Sequence, residues 1–262
     1  MIFLGKHTLL KTTITACDYD FILSKIIAND KIKKILLISP VASYTITIAH
    51  IDKKIERVLK KFDYLVPDSQ WVKRSLYFLY GIRLEERVYG PELMLRVCAL
   101  AEKKSYKIFL YGTTAEKLDK LENNLRERFK KLIITQKSPS EFRTLSKKNK
   151  EKLADIIVKS KTKILFVGLG SPLQEVFTVD IAKVLKERKK EVVIIPVGAA
   201  FDFIAKTKRQ APIWMQDKGL EWLFRLLSEP RRLLKRYCIY GTHFAFLVLT
   251  QKIKIYSTLR TT

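Results

Sequence analysis

Four short stretches of this chain combine residue types and spacings suited to chemistry on a charged, hydroxylated ligand. In VPDSQ, Asp68 follows an apolar run directly. Modest desolvation there would let its carboxylate take a proton from a hydroxyl. The same side chain also reads as the N-cap of a helix beginning at residue 69. In VGLGSPLQE, Gly168 and Gly170 permit a tight turn and Ser171 offers a hydroxyl. Pro172 suits the first turn of a helix, and Gln174 can donate and accept at a sugar or base. The spacing differs from the GxGxxG of dinucleotide sites. A helix start here favours a diphosphate, although Glu175 works against one, and a plain strand-to-helix turn is the alternative.

In PVGAAFDFIA, Asp202 sits between Phe201 and Phe203 just past an apolar run, as a ligand contact or as a cap. The fourth stretch is KGLEWLFRLLSEPRRLLKRY, residues 218–237. Here Leu220, Leu223, Phe224 and Leu227 recur at helical spacing, with Arg225, Arg231, Arg232, Lys235 and Arg236 close by. Arginines so placed suit a pyrophosphate clamp or a helix lying at an anionic interface. The charged face of a packing helix is the third reading. The Asp-x-Asp of DYD at 18–20 reads as structural or surface.

Positioning these residues requires an alternation of strands and helices. Apolar runs at 33–39, 64–67, 106–112, 131–135, 163–168 and 191–198 predict strands. Helical periodicity predicts helices over 52–62, 69–80, 92–103, 114–129, 151–160 and 174–189, the second closed by Gly81. Residues 136–150 read as a polar loop. Such alternation predicts a Rossmann-like α/β fold, a largely parallel sheet with helices on both faces, followed by a basic helical C-terminal appendage. Residues 1–215 form the expected core, with a lobe boundary near 88–104, and residues 216–262 the appendage. Ligands of open parallel sheets bind beyond the carboxyl ends of the strands, where Asp68, Gly168–Glu175 and Asp202 all fall.

Composition bounds the partners. The 262 residues carry 51 basic and 26 acidic side chains, a formal charge of +25, which favours nucleic acid, anionic lipid or a phosphorylated substrate. Nothing resembles a zinc finger, an RRM or a helix-turn-helix, so nucleic acid is not the expected partner. Cys17, Cys98 and Cys238 are far apart and form no CxxC, which predicts reduced thiols in a cytosolic protein. With three histidines, no histidine-rich metal cluster is expected, nor a cofactor. The N-terminus lacks the pattern of a signal peptide. The late apolar run FAFLVLT falls far short of the roughly 20 residues of a spanning helix.

Taken together and in order, VPDS, RVYGPELM, FLYG, VGLGSPLQE, VGAAFDFIA, APIWMQ and GLEWLFRLLSEPRRLLKRY resemble the WecG/TagA/CpsF glycosyltransferase family over about Ser39 to Tyr237. The resemblance implies a metal-independent, inverting hexosyltransferase. It would move an N-acetylhexosamine-type sugar, such as N-acetylmannosamine, from a UDP-sugar donor to a polyprenyl-diphosphate-linked sugar. It implies work in polysaccharide and cell-wall synthesis, peripheral on the cytoplasmic face of the membrane, with a homo-oligomer left open. Asp68 then corresponds to the catalytic base, and Arg87 to a contact for the donor phosphate or leaving UDP. Ser39, Gly168, Gly170, Ser171, Gln174, Phe201 and Asp202 fall around the donor. Arg225, Arg231, Arg232 and Arg236 would engage the acceptor diphosphate or the anionic membrane surface.

The chain departs from the family pattern at several positions. Val41 stands where the family has the asparagine of TPN, Ser69 follows Asp68 in place of glycine, and Glu92 replaces an aspartate. Lys206 and Gln210 replace a glycine and the arginine of RAP. A non-catalytic UDP-sugar- or nucleic-acid-binding protein is the alternative reading.

Overall fold

The chain begins with an antiparallel hairpin, β1 (Phe3–Leu9) and β2 (Thr12–Cys17), which packs beside the fourth strand. Helix α1 (Tyr19–Ile32) follows, its N-terminus capped by Asp18, which accepts from Phe21 N. The strands β3 (Ile35–Val41), β4 (Tyr64–Pro67), β5 (Lys107–Gly112), β6 (Ile133–Ser138), β7 (Ile164–Gly168) and β8 (Val192–Pro196) form one parallel sheet in the order β4-β3-β8-β7-β5-β6. The computed structural model describes residues 1–140 and 145–261.

The strands read as unbroken apolar runs because both faces of the sheet are covered. In β7, Leu165 and Val167 enter one core while Ile164 and Phe166 enter the other, and β8 divides its residues in the same way. The first core is closed by α2 (Ser43–Ile51), α3 (Lys53–Leu59), α4 (Gln70–Tyr80), α7 (Lys147–Lys159) and α8 (Leu173–Glu187). The second is closed by α1, α5 (Gly90–Lys104), α6 (Ala115–Arg128) and α9 (Ala200–Ile204). Full burial of a side chain such as Phe166 contributes about 2 kcal/mol.

A C-terminal run of helices then crosses the carboxyl edge of the sheet: α10 (Ile213–Asp217), α11 (Glu221–Ser228), α12 (Pro230–Leu234), a wide π-helical turn over Lys235–Ile239, and α13 (Tyr240–Thr261). Phe244 and Val248 of α13 enter the first core.

The expected Rossmann-like α/β sheet is present, and β4 occupies residues 64–67 as read from the sequence. The hairpin, α1 and α2 carry weaker periodic signals and emerge only from the structure. The polar stretch at 136–150 is partly regular, since β6 extends to Ser138 and α7 begins at Lys147. Its residues 141–144 lie outside the described residues.

Candidate active site

Helix α8, which follows β7, covers one face of the sheet, whereas α6 after β5 and α9 after β8 cover the other. Neighbouring strand ends therefore diverge and leave a crevice at their carboxyl termini. A cleft of about 360 Å³ occupies that position, walled by Asp68, Gly168, Gly170, Ser171, Gln174 and Asp202 from the strand ends. Arg225, Arg232 and Arg236 close it from the C-terminal helices. A second chamber of about 300 Å³ adjoins it, lined by the aromatic rings of Tyr44, Trp71, Tyr89, Trp222, Tyr237 and Phe244. Asp68, Tyr89, Arg225 and Arg236 belong to the walls of both.

Asp68 is not the helix cap. Ser69 takes that task, its Oγ accepting from Val72 N at 3.3 Å. The Asp68 carboxylate is thereby left for the crevice, where its Oδ1 accepts from Gly90 N at 2.8 Å. Desolvation pushes its pKa up, opposed by the charge of Arg87 and the Gly90 hydrogen bond, while Glu221 adds to the rise. A carboxylate poised above its ordinary range is suited to general-base work near neutrality.

The VGLGSPLQE turn is a self-contained network. Gly170 takes φ 79°, the left-handed conformation that glycine enters without strain. Gly168 is required for packing, since a Cβ there would stand 2.4 Å from the Phe201 ring. Gln174 is only 4% exposed. Its Oε1 accepts from Gly170 N, and its Nε2 donates to Ser171 Oγ at 3.2 Å and Glu175 Oε1 at 3.1 Å. Gln174 thus braces the turn that forms the cleft wall. Glu175 is fully buried, with Oε2 unpartnered, and burial pushes its pKa up.

The arginines fall into two kinds. Arg87 is buried and engaged: its Nη2 donates to Glu221 Oε2 at 2.6 Å and to Gln216 Oε1 at 3.2 Å. Tyr89 OH donates to the other Glu221 oxygen at 2.9 Å, so α11 is clasped to the core at this point. Arg232 is engaged as well, gripping Glu229 through Nε and Nη2 at 2.7 Å each. By contrast, Arg225 and Arg236 have no carboxylate ion partner among the described residues. Arg225 stands over the Phe203 ring and Arg236 over the Tyr44 ring, with Arg236 Nε buried and unpartnered. The π-helical turn carries Arg236 to this position, a distortion of helices that is frequent at functional sites. Two half-buried cations without an ion pair among the described residues, at a shared wall, suit an anionic group.

Some sequence candidates lie elsewhere. Ser39 is fully buried within β3, and Phe201 fills the space beneath Gly168, so both support the cleft from below. Arg231 is exposed and lines neither chamber. Asp202 lines the cleft but is held by Lys117 at 2.6 Å and Lys208 at 3.4 Å. Glu92 pairs with Arg96 at 2.8 Å.

Residue typing overlooked Lys117, which lines the cleft, together with Tyr89, Glu221 and the aromatic chamber. Tyr89 and Glu221 belong to the RVYG and GLEW segments, but their joint contact with Arg87 needs the fold. Among the described residues no group of three or more His, Cys, Asp or Glu side chains could hold a metal ion.

Comparison with known protein families matches residues 7–258 to the glycosyl transferase WecG/TagA/CpsF family, from the hairpin through most of α13. With nearly the whole chain matched, and with a crevice carrying a poised carboxylate and free arginines, this protein belongs to the WecG/TagA/CpsF family of glycosyl transferases.

Proposed function

We propose that the protein transfers an N-acetylhexosamine-type sugar from a UDP donor, with inversion, to a sugar hydroxyl carried on a polyprenyl diphosphate at the inner face of the cell membrane. The observation that carries this reading is the position of Asp68, in the wall shared by a polar cleft and an aromatic chamber. The donor occupies the polar cleft, against the Gly168–Gln174 turn and Asp202. The acceptor sugar enters the aromatic chamber, whose rings suit the apolar faces of a pyranose and the start of a lipid chain.

Asp68 takes the proton of the acceptor hydroxyl as that oxygen attacks the anomeric carbon of the donor. The bond from the anomeric carbon to the β-phosphate oxygen breaks on the opposite side, and its electron pair leaves with UDP. Arg225 and Arg236 stand where that charge develops, and in a water-poor cleft their effect exceeds what it would be in bulk solvent. Arg87 acts through its neighbours: its charge tempers the rise in Asp68 basicity, and its bond to Glu221 holds α11 over the crevice as a lid.

The test is a transfer assay with a panel of UDP-N-acetylhexosamines and a polyprenyl-diphosphate-sugar acceptor, comparing wild type with Asp68→Asn. Product from wild type and its loss in the variant are expected. Absence of transfer with every donor, together with no heat on titrating UDP, would return the protein to the class of general anion binders.

A further inference from the structure

Helices α4 and α13 lie side by side. Trp71 near the start of α4, and Thr242 and Ala245 near the start of α13, line the aromatic chamber. Further along, Lys252 donates to Leu79 O at 3.4 Å and sits over the Phe78 and Tyr256 rings. The pair therefore runs in the same direction away from the chamber.

One face of α13, with Phe244, Val248 and Ile255, turns inward. Another carries Phe246, Leu249, Ile253 and Tyr256 at spacings of three and four residues, and all four are exposed, Phe246 by 63% and Ile253 by 67%. On α4, Trp71 (44% exposed) and Phe78 continue this apolar strip. Large apolar side chains scattered singly over a surface mean little, but an ordered row along two adjacent helices marks an interaction face.

Charge chooses the partner. Neither α4 nor α13 contains an aspartate or glutamate, whereas they carry Lys73, Arg74, Lys252 and Lys254. From Pro230 to the last residue the chain has seven basic residues and no acidic one. An apolar strip whose own two helices carry cations and no carboxylate is complementary to the headgroup region of an anionic bilayer, into which such a helix settles in the plane of the surface. Among the described residues no helix is long and apolar enough to cross a membrane.

We infer that the α4–α13 face, with Trp71, Phe78, Phe246, Leu249 and Ile253 as its apolar row, is the surface by which the protein docks on an anionic bilayer. This rests on the membrane-associated part of the proposed function and adds to it an orientation. Docking by this face brings the wall of the aromatic chamber formed by Trp71, Thr242 and Ala245 to the lipid surface. A lipid-linked acceptor would then reach Asp68 without leaving the membrane. Arg225 and Arg236 face the reaction crevice, so they serve the substrate while the α4–α13 strip serves the bilayer.

The experiment is vesicle co-sedimentation of the full-length chain, with phosphatidylcholine vesicles containing or lacking phosphatidylglycerol. Three proteins are compared: wild type, Leu249→Ser/Ile253→Ser, and Lys252→Glu/Lys254→Glu. Leu249, Ile253 and Lys254 are exposed, whereas Lys252 also bonds Leu79 O, so a thermal melt checks that each variant is folded. Wild type is expected to bind the anionic vesicles selectively, and each double variant to lose roughly tenfold or more in partitioning. Asp68→Asn, in contrast, should bind vesicles like wild type even with transfer abolished. A failure of the transfer chemistry therefore leaves this result standing, and the converse also holds. Equal partitioning of wild type and the Leu249/Ile253 variant would overturn the inference. So would a wild-type dimer in light scattering that the same variant dissolves, since the strip would then cover a second copy of the chain.

Discussion

The two halves of the candidate active site are built in contrasting ways. The strand-end half rests on β7, β8 and their neighbours, whose side chains are buried on both faces of the sheet. The C-terminal half, α10 to the π-helical turn, contributes Leu233 as its one fully enclosed apolar side chain among the described residues. It is held instead by polar clasps: Arg87 to Glu221, Arg74 to Lys218 O at 3.0 Å, and Lys208 to Glu229 at 3.0 Å. A segment with few buried apolar contacts opens at lower free energy than the core beneath it. On the proposed mechanism the rigid half holds the Asp68 carboxylate in place, and the clasped half parts to admit substrate and closes Arg225 and Arg236 over the leaving group.

The contrast can be broken at several points. The largest effect is expected at Asp68, in the rigid half. Asp68→Asn keeps an oxygen for Gly90 N, so the melt should hold while the transfer rate falls by roughly 10²–10⁴-fold. A rate within a factor of a few of wild type would remove Asp68 from the chemistry. Next come the arginines of the mobile half. Arg225→Ala or Arg236→Ala should lower turnover by roughly 10²–10³-fold with no loss of stability, because neither gives up a carboxylate partner. A melting temperature that falls along with the rate would show that these arginines hold the fold instead.

Arg87 should behave in the opposite sense. Arg87→Ala strands the largely buried Glu221, which costs about 3 kcal/mol, read as a shift in the urea midpoint or as early proteolysis between α10 and the π-helical turn. Glu221→Gln, retaining a hydrogen-bond acceptor, should recover part of that cost in the double variant. The smallest effect is expected at Glu175. Its pKa is raised in the fold, so the folded state binds its proton more tightly than the unfolded chain does. Stability is therefore lost as pH climbs above the ordinary carboxylate value and levels off past the raised one. Glu175→Gln should thus gain about 1 kcal/mol at pH 8 and little at pH 4, by urea melts. Glu229 runs the other way: Arg232 holds its pKa down at about 2, so its contribution is present above the ordinary value and fades as pH falls toward about 2.

The sequence was most legible in the rigid half. Unbroken apolar runs at Ile164–Gly168 and Val192–Pro196 left little choice but doubly covered parallel strands, and the residues after each run had to meet at one edge. Asp68 was ambiguous between base and cap because nothing local shows that Ser69 takes the capping bond. Gln174 was legible as a site residue, whereas its role in bracing the turn depends on Gly170 N and Ser171 Oγ being brought onto it. The mobile half was legible in composition but not in geometry. Arg225, Arg231, Arg232 and Arg236 look alike in the sequence, and only the structure separates the two unpaired ones from the one gripped by Glu229 and the one turned outward. Tyr89 and Glu221 were missed because residue 221 meets residues 87 and 89 across more than half the chain.

On the proposed mechanism Asp68 faces a donor in the polar cleft and an acceptor in the aromatic chamber. The most direct test is a crystal structure of the Asp68→Asn protein soaked with a UDP-N-acetylhexosamine. The uridine and diphosphate are expected in the cleft walled by the Gly168–Gln174 turn, with the phosphates against Arg225 and Arg236 and the anomeric carbon turned toward residue 68. A diphosphate bound away from both arginines, or a sugar whose anomeric carbon points away from residue 68, would contradict it.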